Sequence, residues 1–320
     1  MYLGPLTFSE IFKPMPWGGR LLGRVAGKKL PPGTPVGESW EVCDYSIAMD
    51  GPAQGMTLQE LTRREPMSLL GRRGVKRFPL MVKLIDAQKW LSVQVHPDDE
   101  CARQMRLKFP GKTEAWYVLR AKPGAALIAG LTSARDIPRL RELARSGELA
   151  DRLERMEPKT GEALLCEAGA VHALGPGVVV LEVQQSSEVT FRLFDWRRVG
   201  LDGKPRELHV EQAIRAIGKR ALRVRRSAPR PLGKLPWKAE RLVRCDKFVM
   251  DRWEVSGAQS RAKTERFEIL HVARGTCRID DGSSTLTLRK GATALLPACV
   301  REYGICPRPG VELIRMAEPE

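Results

Sequence analysis

GEALLCEAGAVHAL, residues 161–174, opens on a glycine, runs through Ala163-Leu-Leu-Cys166, turns at Glu167-Ala-Gly169 and brings His172 into a second apolar run. Short apolar runs bounded by turn residues read as buried strands. The same frame recurs in GATALLPACVRE (291–302), where Gly291 is followed after five residues by Pro297-Ala-Cys299 and Glu302 stands in the place of His172. The chain therefore carries two copies of one strand–turn–strand unit, and the first alone keeps the histidine.

Working outward, short strand-like segments dominate both flanks. FPLMVKLIDA (78–87), WLSVQVHP (90–97), TEAWYVLRA (113–121), AALIAGL (125–131), GVVVLEVQQ (177–185) and VTFRLFDW (189–196) are bounded by Gly, Pro or Asp and rich in β-formers. Such spacing predicts a sandwich or barrel. Residues 98–109, 137–156 and 208–217 carry apolar side chains at helical spacing. A Pro-rich basic stretch follows, and beyond it VMDRWEVSG, RFEILHVARGTCRID, STLTLRKG, ATALLPA and ELIRMAE restore the strand pattern.

Both copies of the opening frame resemble the second sequence motif of the cupins, G-x5-P-x-G-x2-H, and Glu268 with Gly275 has the E-x6-G spacing of the first. The resemblance implies a mainly β fold of two tandem cupin-like jelly-roll barrels, with helical insertions in and after the first. Residues 1–218 would form a metal-binding catalytic unit, 219–236 a basic Pro-rich linker and 237–320 a second, metal-free unit. In that second unit Cys299 and Glu302 replace the motif's Gly and His, SRAKTERF offers cations where ligands would be needed, and His271 lies in an apolar strand as a structural residue.

Composition narrows the function classes. No apolar run approaches the roughly 18 residues that span a bilayer, and the N-terminus lacks a secretory pattern. The seven scattered cysteines never fall in a CxxC spacing, which predicts reduced thiols in a cytoplasm. Lys and Arg exceed Asp and Glu by 54 − 38 = 16. Much of that excess lies in residues 219–244, where prolines interrupt any recognition helix and no nucleic-acid motif accompanies it. The reading is a solvated linker and no nucleic-acid or membrane partner.

The chemistry gathers in LSVQVHPDDE (91–100). Side chains at i and i+2 of a strand share a face, so Gln94 and His96 point the same way. Alone, that pair reads as a solvated strand face. Glu114 in GKTEAWYVL and His172 after the Gly169 turn complete a set of one amide oxygen, one carboxylate and two imidazoles, which suits zinc or a similar divalent ion.

These residues resemble the class I mannose-6-phosphate isomerases, in their shorter bacterial form. WGGRLL (17–22), GESWEV (37–42), FPLMVKLIDA, LSVQVHPDD, GKTEAWYVL, AGAVHAL and LEVQQSSEVTFRLFDWRR (181–198) carry the match across most of residues 15–217. The resemblance implies Gln94, His96, Glu114 and His172 as ligands of one Zn2+ per chain, Arg192 as an active-site arginine and Lys112 as a substrate-facing lysine. Trp17 and Glu182 join them at a small phosphosugar substrate. The implied reaction interconverts mannose 6-phosphate and fructose 6-phosphate through an enediolate, whose charge an ion, Lys112 and Arg192 would stabilise. For the general base, Lys112, Glu182 and a metal-bound hydroxide stand as alternatives. A non-catalytic sugar-phosphate-binding cupin is the rival reading, against which the presence of Lys112 and Arg192 beside the four ligands argues.

Overall fold

The computed structural model describes residues 1–217, 223–233 and 235–319. Among these the fold is built on two large antiparallel sheets. The N-terminal sheet runs in the order Arg225–Arg226, Ala163–Cys166, Glu114–Ala121, Val178–Gln185, Leu80–Ala87, Val36–Val42, Ile11–Gly19. The C-terminal sheet follows the path Leu6–Thr7, Thr293–Leu296, Glu268–Asp280, Glu302–Ala317, Val249–Val255, Lys238–Arg244, Arg230–Pro231, with Gln259–Ala262 and Thr285–Arg289 beside it. The architecture is mainly β and of the cupin kind, but neither path closes on itself. The physical reason lies at the edges. Ile11–Gly19 contains Pro14 and Pro16, and Arg230–Pro231 ends in proline, so these outer strands offer an interrupted row of donors to a further ladder.

Strand alternation decides what each face does. In Leu80–Ala87 and Val178–Gln185, the residues Leu80, Val82, Leu84, Val179, Leu181 and Val183 join one core with Leu242, Met250, Ile269, Ile314 and Met316 of the other sheet. Each such buried aliphatic side chain contributes about 2 kcal/mol. The intervening residues, Lys83, Ile85, Val180, Glu182 and Gln184, face the opposite side. There two small sheets cover them: Val93–Val95 paired with Phe191–Phe194, and Leu127–Leu131 between Ala173–Leu174 and Leu153–Met156.

Two sequence expectations change. The helical pattern over 137–156 is broken by Gly147 into a helix Leu140–Ser146 and a 3-10 turn Glu148–Arg152, and Leu153–Met156 is a strand. The helix expected over 98–109 is shorter, Asp99–Gln104. Within the expected linker, residues 219–222 and 234 lie outside the described residues. The rest is not simply solvated, because Arg225–Arg226 extends the N-terminal sheet and Arg230–Pro231 the C-terminal one. Arg225 and Arg226 also pair with Glu167 and Glu162.

Candidate metal centre and adjoining pocket

Backbone pairing brings the centre together. Gln94 and His172 exchange N–H···O bonds of 2.9 and 3.0 Å, and Gly169, at φ +89°, donates its N–H to the His96 carbonyl at 2.8 Å. A side chain at 169 would strain that left-handed turn. Pro97 ends the strand, and the two aspartates after it serve the backbone. Asp98 accepts from Cys101 N at 2.7 Å, while Asp99 accepts from Gly111 N at 2.9 Å and Gln185 Nε2 at 3.0 Å. That anchorage presents Lys112 and Glu114 beside His96.

Glu114 is fully buried between two buried imidazoles. Its Oε2 lies 3.4 Å from His96 Nε2 and its Oε1 lies 3.2 Å from His172 Nε2. The imidazoles face main-chain carbonyls with their other nitrogens: His96 Nδ1 is 2.8 Å from the Val189 oxygen and His172 Nδ1 is 3.0 Å from the Ala170 oxygen. A carbonyl can only accept, so each Nδ1 carries a proton, and in the neutral form of the ring Nε2 presents a lone pair. Both Nε2 atoms and both Glu114 oxygens are buried without a hydrogen-bond partner. Lys112 Nζ stands 3.0 Å from Oε2, outside hydrogen-bond alignment. Four acceptors thus converge, one from each residue within 4.8 Å of the others, with Lys112 at the flank of Oε2 alone, and the space between them suits a cation that all four could face.

The electrostatics agree. Burial, then the charge of Lys112, push His96 down to about 3, so the ring is neutral and ready to coordinate. Burial raises the Glu114 carboxyl, but the charge of Lys112 beside it outweighs burial and holds it well below the ordinary range. Cys166 pairs in register with Glu114, and burial, then that carboxylate, push its thiol well above the ordinary value, but its sulfur is not among the converging ligand atoms. Among the described residues no other trio of His, Cys, Asp or Glu side chains converges in this way.

A cavity of about 290 Å³ adjoins the cluster. Gln94, Lys112, Glu182, Trp17 and Arg192 all line it, so every expected site residue is at the cluster or in this cavity. Burial opposes the Lys112 ammonium, but Glu114 and Glu182 prevail and keep it charged above its ordinary range. Glu182 is pushed the other way, upward, by burial and by the charge of Glu114, while Trp116 Nε1 holds it at 2.9 Å. Arg192 does not pair with Asp195 or Glu188. Asp195 is taken by Arg198 and Arg206, both at 2.6 Å, and the Glu207 carbonyl accepts from Arg192 Nη1 at 2.7 Å. Its Nε is buried and unpartnered.

Sequence reasoning passed over Lys83, Glu38 and Arg206, which also line the cavity. Lys83 lies 3.6 Å from Glu182 and 3.7 Å from Glu38. A single lysine inside the apolar run LMVKLIDA was the available signal. Larger clefts exist, such as one of about 790 Å³ beside Trp237 and Arg274, but none contains a converging ligand set.

The chain matches the family description "Phosphomannose isomerase type I, catalytic domain" over residues 7–118 and "Mannose-6-phosphate isomerase, cupin domain" over residues 238–314. It is 34% identical over 293 residues to the mannose-6-phosphate isomerase of Streptococcus mutans, covering 90% of each chain. It is 33% identical over 303 residues to mannose-6-phosphate isomerase ManA of Bacillus subtilis, covering 93% of this chain and 95% of that one. The crystal structure of mannose 6-phosphate isomerase from Bacillus subtilis superposes with a TM-score of 0.89 at 30% identity, covering 98% of this chain and 99% of that one. A mannose 6-phosphate isomerase bound with zinc and yttrium shares the fold at 15% identity and a TM-score of 0.75, over 99% of this chain and 100% of that one.

Proposed function

Since the chain belongs to the type I phosphomannose (mannose-6-phosphate) isomerase family and is an isomerase, we propose that it interconverts mannose 6-phosphate and fructose 6-phosphate through an enediolate, using one zinc ion held by Gln94, His96, Glu114 and His172. The observation that carries the metal reading is the set of four buried acceptor atoms on His96, Glu114 and His172, which converge, one from each residue within 4.8 Å of the others, and have no hydrogen-bond partner. Two neutral imidazoles, a carboxylate and an amide oxygen fit a divalent ion of zinc's character. When bound, such an ion supplies Lewis acidity toward the sugar's C1 and C2 oxygens.

The protein's own groups divide the remaining work. Glu182, made more basic by burial and fixed by Trp116, takes the proton from C2 of the aldose and returns it to C1. Lys112 stays an ammonium and stabilises the oxyanion that develops as that proton leaves. Arg192 and Arg206 line the same cavity and receive the phosphate, Arg192 with its unpartnered Nε. Trp17, also at the wall, excludes water from the reacting carbons. We place the reaction in a cytoplasm, which the seven free cysteines support. Among the described residues no helix is long and apolar enough to cross a membrane. The C-terminal half carries no metal in this reading.

Metal analysis of the purified protein, combined with a coupled assay that follows fructose 6-phosphate, tests the proposal. About one zinc per chain is expected, with turnover that a chelator abolishes and added zinc restores. Full turnover without a divalent ion would overturn it.

A further inference from the structure

The cavity beside the metal centre has a counterpart in the C-terminal sheet at the same register positions. Glu114 pairs with Cys166, five residues after Gly161, and Glu268 pairs with Leu296, five residues after Gly291. Two residues on, Trp116 pairs with Glu182 and Leu270 with Arg315. One strand further, Glu182 pairs with Lys83 and Arg315 with Asp251. The buried pair Lys83–Glu182 of the first half thus reappears in the second as Asp251–Arg315, with its charges exchanged.

Around this second position lies a cavity of about 350 Å³, walled by Arg241, Asp251, Trp253, Arg261 and Arg315, and by Leu232 and its neighbours from the segment that enters the sheet. Arg315 donates to Asp251 at 2.8 Å and to Glu268 at 2.7 Å, Arg261 donates to Glu268 at 2.6 Å, and Arg241 pairs with Asp251. Three guanidinium groups therefore meet two carboxylates, which leaves one excess positive charge in a largely buried network. Arg241 and Arg261 each keep Nη1 outside these pairs. Trp253, only 1% exposed, has an indole N–H with no partner among the described residues. Unpaired donors and an uncompensated charge at a cavity wall call for an acceptor that is also an anion.

We infer that this second cavity binds a small oxyanion, the carboxylate or phosphate group of a metabolite. Its place corresponds to that of the catalytic cavity, but around Glu268 it gathers guanidinium donors where the first half gathers imidazoles around Glu114. The inference is independent of the mechanism given above, because neither Arg241 nor Leu232 lines the catalytic cavity or belongs to the candidate metal cluster.

The test is diffraction from crystals of the full-length protein in 10 mM tungstate, followed by competition with inorganic phosphate or with malonate. A tungsten peak in this cavity is expected, with tungstate oxygens within hydrogen-bond distance of Trp253 Nε1 and the Arg241 guanidinium, apart from any peak beside Arg192. Displacement by phosphate assigns a phosphate-bearing ligand, and displacement by malonate a carboxylate. In calorimetry Arg241→Gln should weaken tungstate uptake at this cavity by about tenfold or more, and Leu232→Trp should fill the space and abolish it. Both variants should retain wild-type kcat/KM, which also shows that they fold. A cavity without tungsten, or uptake unaltered in both variants, would overturn the inference.

Discussion

Glu114 and Glu268 are two buried carboxylates at the same register in two copies of one sheet, and their neighbours give them opposite chemistry. Around Glu114 stand two imidazoles that offer lone pairs, and its own oxygens find no aligned donor. Around Glu268 stand Arg261, Arg315 and the Tyr303 hydroxyl, which donates at 2.8 Å, so the carboxylate is saturated from within the protein. Burial raises Glu268, but Arg315 and Arg261 outweigh it and bring it down to about 2. The difference teaches that a buried carboxylate in this frame has two solutions. Acceptors around it require a cation from outside, whereas donors around it close the site with an internal ion network.

The comparison breaks most readily at its first member. His172→Ala removes one acceptor from the cluster. Zinc content by atomic absorption should fall well below one per chain, and turnover should drop by more than the roughly hundredfold typical of losses among groups that only orient metal ligands. Stoichiometric zinc with full activity in this variant would remove the ligand assignment.

At the second member the expected loss is one of stability. Glu268→Gln leaves two buried guanidiniums without their carboxylate and should destabilise the protein by about 3–5 kcal/mol in denaturant titration. The pH dependence follows from the folded value of about 2 against the ordinary 4.5. Because the folded value is depressed, the stabilisation is complete above pH 4.5 and is lost as pH falls from there toward 2. The loss amounts to about 3 kcal/mol. In Glu268→Gln that part of the acid-unfolding profile should flatten.

A smaller effect sharpens the chemical side. Lys112→Ala and Arg192→Ala should each lower kcat by about a hundredfold while zinc content stays near that of the wild type. Loss of zinc in Arg192→Ala would instead make that residue part of the scaffold. The smallest effect is expected at the motif position of the second copy. Glu302 is exposed and paired with Ser260, so Glu302→Ala should leave zinc content and turnover essentially unchanged in the same assays.

Much of the candidate site was legible because it obeys strand alternation. Gln94 and His96 follow the period of two, and Glu114 with Trp116 and Glu182 with Gln184 lie on the face away from the core that joins the two sheets. The residue types were also informative, since a glutamine, two histidines and a glutamate in β segments have few joint explanations. Lys83 and Glu38 were harder to read, because their importance comes from a chain of ion pairs that crosses three strands, with Lys83 3.7 Å from Glu38 and 3.6 Å from Glu182. Barrel closure, expected from the cupin resemblance, was not legible in the strand spacing, because it depends on whether the outermost strands can pair with one another.

The sequence by itself determined the side-chain types at the candidate site, the face on which each stands and the family, because these depend on local periodicity and on motifs a few residues long. Tertiary structure alone decided which partners those side chains meet. It leaves Arg192 open to the cavity by giving Asp195 to Arg198 and Arg206. It turns Glu302 outward and seats Tyr303 against Glu268, so the second copy has a hydroxyl donor where the first has an imidazole acceptor. It sets Lys83 beside Glu182 in one sheet and Asp251 beside Arg315 in the other. The reason is one of range. Alternation is fixed within a strand by backbone geometry, whereas register between strands is set by the packing of residues far apart in the chain.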